Sequence, residues 1–269
     1  TPEGREVLLD LVRDADVFVT NLLPDSRRRL GIDVDDLRAV APMLVYVRAS
    51  GTGPRGAEAG DPAFDHTAFW CRTGMGHAAS LTADEFQPLF SPAMGDLTSG
   101  LALAGGVAAA LFKRERTGEP SVVDGSLLAT GMWVVSPGIV ATQLHDIETL
   151  PRRRHADTGY ALVAAYRTAD DREVYLAGVR TDILWEELCD ALGRRDLVDD
   201  PRFVDAAART ANNSALIGVL DEIFAARTLA EWEQRFTGGA FPWAVARTEA
   251  EVLGDPQARA NNYLVPIDA

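Results

Sequence analysis

Few residues in this sequence combine the type and spacing that chemistry needs. The clearest is Asp96, in Met94-Gly95-Asp96-Leu97-Thr98-Ser99-Gly100, between a loop and a long apolar stretch. A carboxylate at such a boundary can cap the helix that follows, accepting backbone N–H bonds worth about 0.5–2 kcal/mol. It can also act as a nucleophile where helix dipoles favour negative charge. A second cluster is Arg27-Arg28-Arg29, in a chain with 40 acidic and 26 basic residues and a formal net charge of -14. Any polyanionic ligand of so acidic a chain has to meet a local reversal of sign of this kind. Phe64-Asp65-His66 sets a carboxylate and an imidazole side by side, although a lone His beside aromatic residues is more often packed or surface-bound than catalytic. His77 and His145 have no partner at metal-ligand spacing, and Cys71 and Cys189 form neither a Cys-x-x-Cys pair nor a Cys/His cluster. No metal site and no disulfide framework are expected.

Several function classes fall away. The chain has no Gly-x-x-x-x-Gly-Lys-Ser/Thr phosphate loop, no Gly-x-Ser-x-Gly elbow and no His-Glu-x-x-His pair, and Gly51-Thr52-Gly53 is too short for a dinucleotide fingerprint. Its acidity argues against a nucleic-acid surface, which needs clustered Lys and Arg. The longest apolar stretch, 101–112, falls short of the ~20 residues that cross a bilayer. Thr1-Pro2-Glu3-Gly4-Arg5 leads into an amphipathic helix rather than the apolar core of a signal peptide. With only two cysteines, a reducing cytoplasm fits best, with neither membrane nor nucleic acid as partner.

The elements that must hold Asp96 follow from periodicity. Helical spacing through residue 14, a buried strand over 16–20, a loop over 21–25, a short helix over 35–40 and a strand over 43–49 alternate as in a parallel α/β layer. A Gly- and Pro-rich loop over 50–62 precedes a helix over 64–72. A second loop through Pro92 leads to a Gly/Ala-rich helix over 97–116, closed by Thr117-Gly118. A short strand at Val122-Val123 and a helix over 126–144, broken near Ser136-Pro137-Gly138, complete a first domain over 1–150. Leu150-Pro151-Arg152-Arg153-Arg154 opens a linker over 151–165, and a small α+β domain over 166–263 follows. Its strands are expected at 160–166, 173–177 and 243–246, and its helices at 185–192, 213–226 and 229–236, with Trp185 and Trp232 in the core.

Taken in order, a set of short motifs resembles the family III coenzyme A transferases of the CaiB/BaiF type. They are Asp16-Val17-Phe18-Val19-Thr20-Asn21-Leu22, Arg29-Leu30-Gly31, Ser50-Gly51-Thr52-Gly53, Gly95-Asp96-Leu97-Thr98-Ser99-Gly100, Arg116-Thr117-Gly118, Val123-Asp124-Gly125-Ser126-Leu127-Leu128, the segment from Trp185 to Gly193, Asp200-Pro201-Arg202-Phe203 and Asp255-Pro256. The resemblance implies an incomplete Rossmann-like large domain and a small α+β domain, without the upstream βα segment and the C-terminal tail of complete members. It also implies an interlocked homodimer. Acyl-CoA and a small carboxylic acid would be the substrates, and no cofactor would be permanently bound.

Asp96 matches the family's covalent nucleophile. Asn21 and Leu22 match a turn along the CoA moiety, Arg29 matches a basic residue near its phosphates, and Arg27 and Arg28 join it as a solvated cationic set. Phe64-Asp65 falls where racemases of the superfamily carry a His-Asp pair, at a spacing to Gly74 one residue longer than usual. Racemisation needs acid/base groups on both faces of the α-carbon, so Phe64 favours transfer. The alternatives are an acyl-CoA racemase or isomerase and a CoA-binding subunit without turnover. The acyl group would be selected by the loop over 74–92 and by the small domain.

Overall fold

Three parallel strands, β1 (Val17–Thr20), β2 (Val45–Ser50) and β3 (Val122–Ser126), form one sheet with β2 central, pairing Val19 with Val47 and Arg48 with Asp124. Val45, Tyr46 and Val47 are all fully buried, which a strand achieves only when both of its faces are covered. In the first unit of this computed structural model, α1 (Pro2–Arg13), α3 (Val34–Arg38) and α5 (Met94–Thr117) supply that cover, and α2 (Pro24–Leu30), a π-helix (Asp65–Cys71), α4 (Met75–Ala79), α6 (Leu127–Val134) and α7 (Ser136–His145) complete the unit. The described residues are 1–79, 91–151, 155–178 and 181–265.

Side-chain alternation assigns the faces. Tyr46 packs with Val12, Ile32, Leu37 and Leu44 on the side of α1 and α3, whereas Val45 and Val47 pack with Leu103, Val107, Ala110 and Leu111 of α5. Helices on both faces of a parallel sheet make this unit α/β, as expected. Small residues set how closely α5 approaches: a Cβ on Gly106 would come within 2.7 Å of Val123, and one on Gly125 within 2.5 Å of Leu103.

Several boundaries differ from the sequence reading for local reasons. Pro24, expected in a loop, takes the first position of α2, where its fixed φ suits a helix and its missing N–H costs nothing. The helix expected over 64–72 is π-helical, with Arg72 N–H donating to Thr67 O five residues back. Helix α5 starts at Met94, three residues before the expected start at Leu97, and with 24 residues it is long and apolar enough by length and composition to cross a bilayer. The apolar stretch over 101–112 therefore understates it, because Gly95, Thr98, Ser99 and Gly100 extend the same helix. Residues 80–90 of the expected acyl-selecting loop and 152–154 of the expected linker lie outside the described residues.

The chain divides into two units, Thr1–Leu150 and Pro151–Ala269. The second has an antiparallel sheet of β4 (Val163–Arg167), β5 (Glu173–Ala177) and β6 (Trp243–Val245), with α8 (Thr181–Leu192), α9 (Ala206–Ala211), α10 (Asn213–Ala225), α11 (Leu229–Phe236), α12 (Glu249–Val252) and α13 (Pro256–Ala260). Phe224 stacks on Tyr166 at 5.1 Å and meets Trp232 at 4.8 Å, and Trp185 and Trp232 are buried in this core as their spacing predicts. Ala161 and Leu162, inside the expected linker, also belong to this core. The Ala161 N–H donates to Asn213 and its carbonyl accepts from the Tyr166 hydroxyl.

Burial pushes the Tyr46 phenol up to about 12, and its hydroxyl donates to Ile32 O at 2.7 Å. A folded-state pKa above the unfolded one makes this contribution complete below the unfolded pKa of about 10 and lost as pH rises through the folded value. Tyr46→Phe should therefore cost about 1 kcal/mol at neutral pH and flatten the alkaline fall in stability. Urea midpoints of both proteins across the alkaline range check it.

Candidate active site

The carboxyl ends of the three parallel strands open into a cleft of about 800 Å³. This is the edge where open α/β sheets bind ligands, because the loops that leave the strands diverge there. Asn21, Leu22, Arg27 and Arg28 contribute from the β1–α2 turn, Arg48 and Ser50 to Pro54 from β2 and its loop, Asp124 to Leu127 from β3 and the start of α6, and Asp96, Ser99, Gly100 and Leu103 from α5.

Asp96 occupies the first turn of α5, exposed, with no hydrogen bond or ion pair among the described residues. It does not cap the helix. The cap position is Ala93, in the left-handed region at φ 57° and ψ 22°, and no side chain among the described residues closes the helix end. A non-glycine residue held there costs on the order of 1–3 kcal/mol. Among the described residues, the first-turn N–H groups, the positive end of a 24-residue helix, have no side-chain cap beside the carboxylate.

Gly95 explains how the turn reaches this place. A Cβ there would overlap Asp65 Oδ1 and the Phe69 ring, with Phe69 Cβ at 2.6 Å. The missing side chain lets α5 sit directly on the π-helix. Asp65 is 4% exposed, its Oδ2 accepts from Trp70 Nε1 at 3.1 Å, and its Oδ1 is buried without a hydrogen-bond partner among the described residues. It lies under α5 and is absent from the cleft lining, whereas Phe64 is 75% exposed and lines the cleft.

The three arginines separate. Arg27 is 8% exposed, donating from Nη1 to Leu22 O at 2.7 Å and from Nε to Asp33 at 3.4 Å, so it fixes the turn that carries Asn21 and Leu22. The expectation of three solvated charges fails at this residue, because the turn's carbonyl needs a donor. Arg28 lines the cleft and pairs with Asp25, while Arg29 donates to Ser26 and is absent from the lining. Among the described residues, no group of three or more His, Cys, Asp or Glu side chains could hold a metal ion.

The family description of CoA-transferase family III matches residues 1–269. The chain belongs to CoA-transferase family III. It is similar to cinnamoyl-CoA:phenyllactate CoA-transferase of Clostridium sporogenes, 29% identical over 97% of this chain and 64% of the relative. It is also similar to (R)-2-hydroxy-4-methylpentanoate CoA-transferase of Clostridioides difficile, 28% identical over 97% of this chain and 65% of the relative. The chain therefore spans 64% and 65% of the length of these two curated relatives. Among solved structures, Rv3272 of Mycobacterium tuberculosis superposes with a TM-score of 0.79 at 28% identity, covering 97% of this chain and 68% of that one. A CaiB/BaiF family protein from Brucella suis gives 0.75 at 28% identity, with the same coverage of 97% and 68%.

Within this family III cleft, sequence reasoning passed over Arg48, Ser99 and Asp124 as site residues. Arg48 and Asp124 face each other across β2 and β3 in a two-bond ion pair of 2.6 and 2.8 Å. The hydrogen bonds that Arg48 donates to Asp124 hold its guanidinium above its ordinary pKa. The signal was present in Asp124-Gly125-Ser126, but only strand register pairs that motif with Arg48. Ser99, one turn beyond Asp96, is 8% exposed with its hydroxyl unpartnered among the described residues.

Gly95→Ala should destabilise the first unit by about 1–3 kcal/mol through overpacking against the π-helix. Thermal denaturation, compared with Gly100→Ala, where an added Cβ meets nothing within 4 Å, measures this directly; equal effects would contradict the close approach.

Proposed function

We propose that the native protein moves CoA from an acyl-CoA thioester to a carboxylic acid, with Asp96 as the covalent nucleophile. The observation that carries this reading is an exposed carboxylate without partners among the described residues, at an uncapped helix N-terminus in a cleft large enough for part of a CoA thioester. A structural aspartate would be expected to spend its oxygens on the backbone or on a cation.

The chemistry runs in two reversible halves. An Asp96 oxygen attacks the thioester carbonyl, the C–S bond breaks, CoA thiolate leaves and a mixed anhydride remains. The thiolate then attacks the Asp96 carbonyl carbon, releasing the donor's acid as a carboxylate and leaving an aspartyl-CoA thioester. The acceptor carboxylate attacks that thioester, and the released thiolate attacks the acyl carbon of the new anhydride, freeing the new acyl-CoA and restoring Asp96. Each attack passes through an oxyanion, which the uncapped N–H groups of α5 and the Gly51–Gly53 segment are suited to stabilise.

Asn21 and Leu22, held by Arg27, would lie along the CoA moiety. Arg28 would meet its phosphates, with Arg29 further out, and Phe64 would offer an apolar surface at the rim. Asp65 would act through Gly95 and the π-helix rather than on CoA itself. The relatives' names include aromatic and branched 2-hydroxy acids among acceptors, so a small organic acid is the proposed acceptor class. A cytoplasmic homodimer with no permanently bound cofactor completes the proposal. A racemase reading is disfavoured, since Phe64 carries no exchangeable proton and Asp65 is committed to Trp70.

Asp96→Asn should lower CoA exchange in the native protein by a factor on the order of 10⁴ while changing stability by no more than about 0.5 kcal/mol, because the carboxylate holds no structural bond among the described residues. Retained exchange, with deamidation excluded by mass, contradicts the mechanism. Acyl-CoA kept in deuterated solvent without an acceptor acid should keep its α-hydrogen. Rapid exchange that disappears on replacing His66 would instead favour the racemase.

A further inference from the structure

Three arginines line the cleft, and they are committed differently. Arg27 is buried and spends its donors on Leu22 O and Asp33. Arg28 sits in an exposed pair with Asp25, on a mobile-length side chain with 64% of its surface in solvent. Arg48 differs from both. Its Nε and Nη2 are locked by the two oxygens of Asp124, both side chains are mostly covered, at 26% and 33% exposure, and Nη1 has no hydrogen-bond partner among the described residues. A guanidinium held along one edge presents the other edge in a fixed orientation, which is how Arg recognises oxyanions with little entropic cost on binding.

We propose that Arg48 is an oxyanion-binding residue of the cleft, with Asp124 as its positioning residue, and that the group it takes is a phosphate of the CoA nucleotide. This rests on the CoA-transferase reading above. The oxyanion could also be the carboxylate of the acid substrate, but the placement favours phosphate. Alternation along β2 puts Arg48 on the face of Tyr46, the side of α1 and α3, whereas Val45 and Val47 face α5, which bears Asp96. Arg48 is therefore on the sheet face away from the reacting carboxylate, where its charge and those of Arg27 and Asp33 surround Tyr46.

The pair yields a prediction whose sign separates positioning from bulk charge. Removing an anion from an anion-binding cleft should tighten binding if only net charge matters. If Asp124 holds Arg48 in place, Asp124→Asn should weaken CoA binding, by roughly threefold to tenfold for one disordered charge-assisted bond. Arg48→Gln should weaken it roughly tenfold or more, and Arg48→Lys, which keeps the charge but not the fork, should fall between. The experiment is calorimetric titration of the native full chain and the three variants with CoA and with 3′-dephospho-CoA, alongside the KM for the acid in the exchange assay. Melting curves establish that each variant is folded, and Arg48→Lys keeps the test usable if Asp124→Asn does not fold.

Weaker CoA binding in the order given, with the KM for the acid unchanged, supports the proposal; loss of the difference with 3′-dephospho-CoA assigns the 3′-phosphate, and its persistence assigns the diphosphate. Unchanged or tighter CoA binding in folded variants overturns it, as does a raised KM for the acid with CoA affinity intact, which would move Arg48 to the carboxylate. Wild-type protein that does not bind CoA overturns the transferase reading together with this one.

Discussion

The placement of Asp96 depends on one close contact, between the first turn of α5 and the π-helix beneath it. Gly95 is the contact point: any side chain there would occupy the space of Asp65 and Phe69. That seat fixes the height of α5 above the sheet, while Gly106 and Gly125 let its middle lie close to β3. The helix begins with Ala93 in the left-handed region and, among the described residues, no side-chain cap. Strain at this residue is a local cost, which the packing of Phe69, Trp70 and Met75 with Met94 helps to offset.

Electrostatics are arranged just as locally. The chain as a whole is acidic, yet the cleft meets ligand with three arginines held in different ways. Buried Arg27 acts as a structural tie: its hydrogen bond to Leu22 O gives the β1–α2 turn its shape, so the turn and the charge cannot be varied independently. Arg48 is held from one side by Asp124. Only Arg28 and Arg29 behave as the surface charges that a run of arginines at a helix start leads one to expect.

The α/β alternation was legible because each strand in the first unit is short, with Asp16, Pro42, Gly51 and Pro120 close to strand ends, and because Val45-Tyr46-Val47 is apolar on both faces. In the second unit, the 229–236 helix was legible to the residue, since Thr228 and Glu231 form a capping box that fixes its start. The π-helix was not. Its composition suits an ordinary helix, and the one hint was an extra residue before Gly74, which a wider i→i+5 turn can absorb. The carboxylate of Asp96 was legible through the Gly-Asp pair, but its freedom from capping was not, because that depends on α5 starting at Met94. Arg48 and Asp124 lie 76 residues apart in sequence. They become neighbours only through strand register, which no local pattern encodes.

We propose that Asp96 is kept free of structural bonds so that it can form covalent ones. The most direct measurement is the mass of the peptide containing residues 94–100 after the full native protein is given acyl-CoA with no acceptor acid and digested under mild acid. The expected result is added mass equal to CoA less water on Asp96, removed by hydroxylamine with formation of the aspartyl hydroxamate. An unmodified peptide from protein that is turning over CoA between thioester and acid would contradict it.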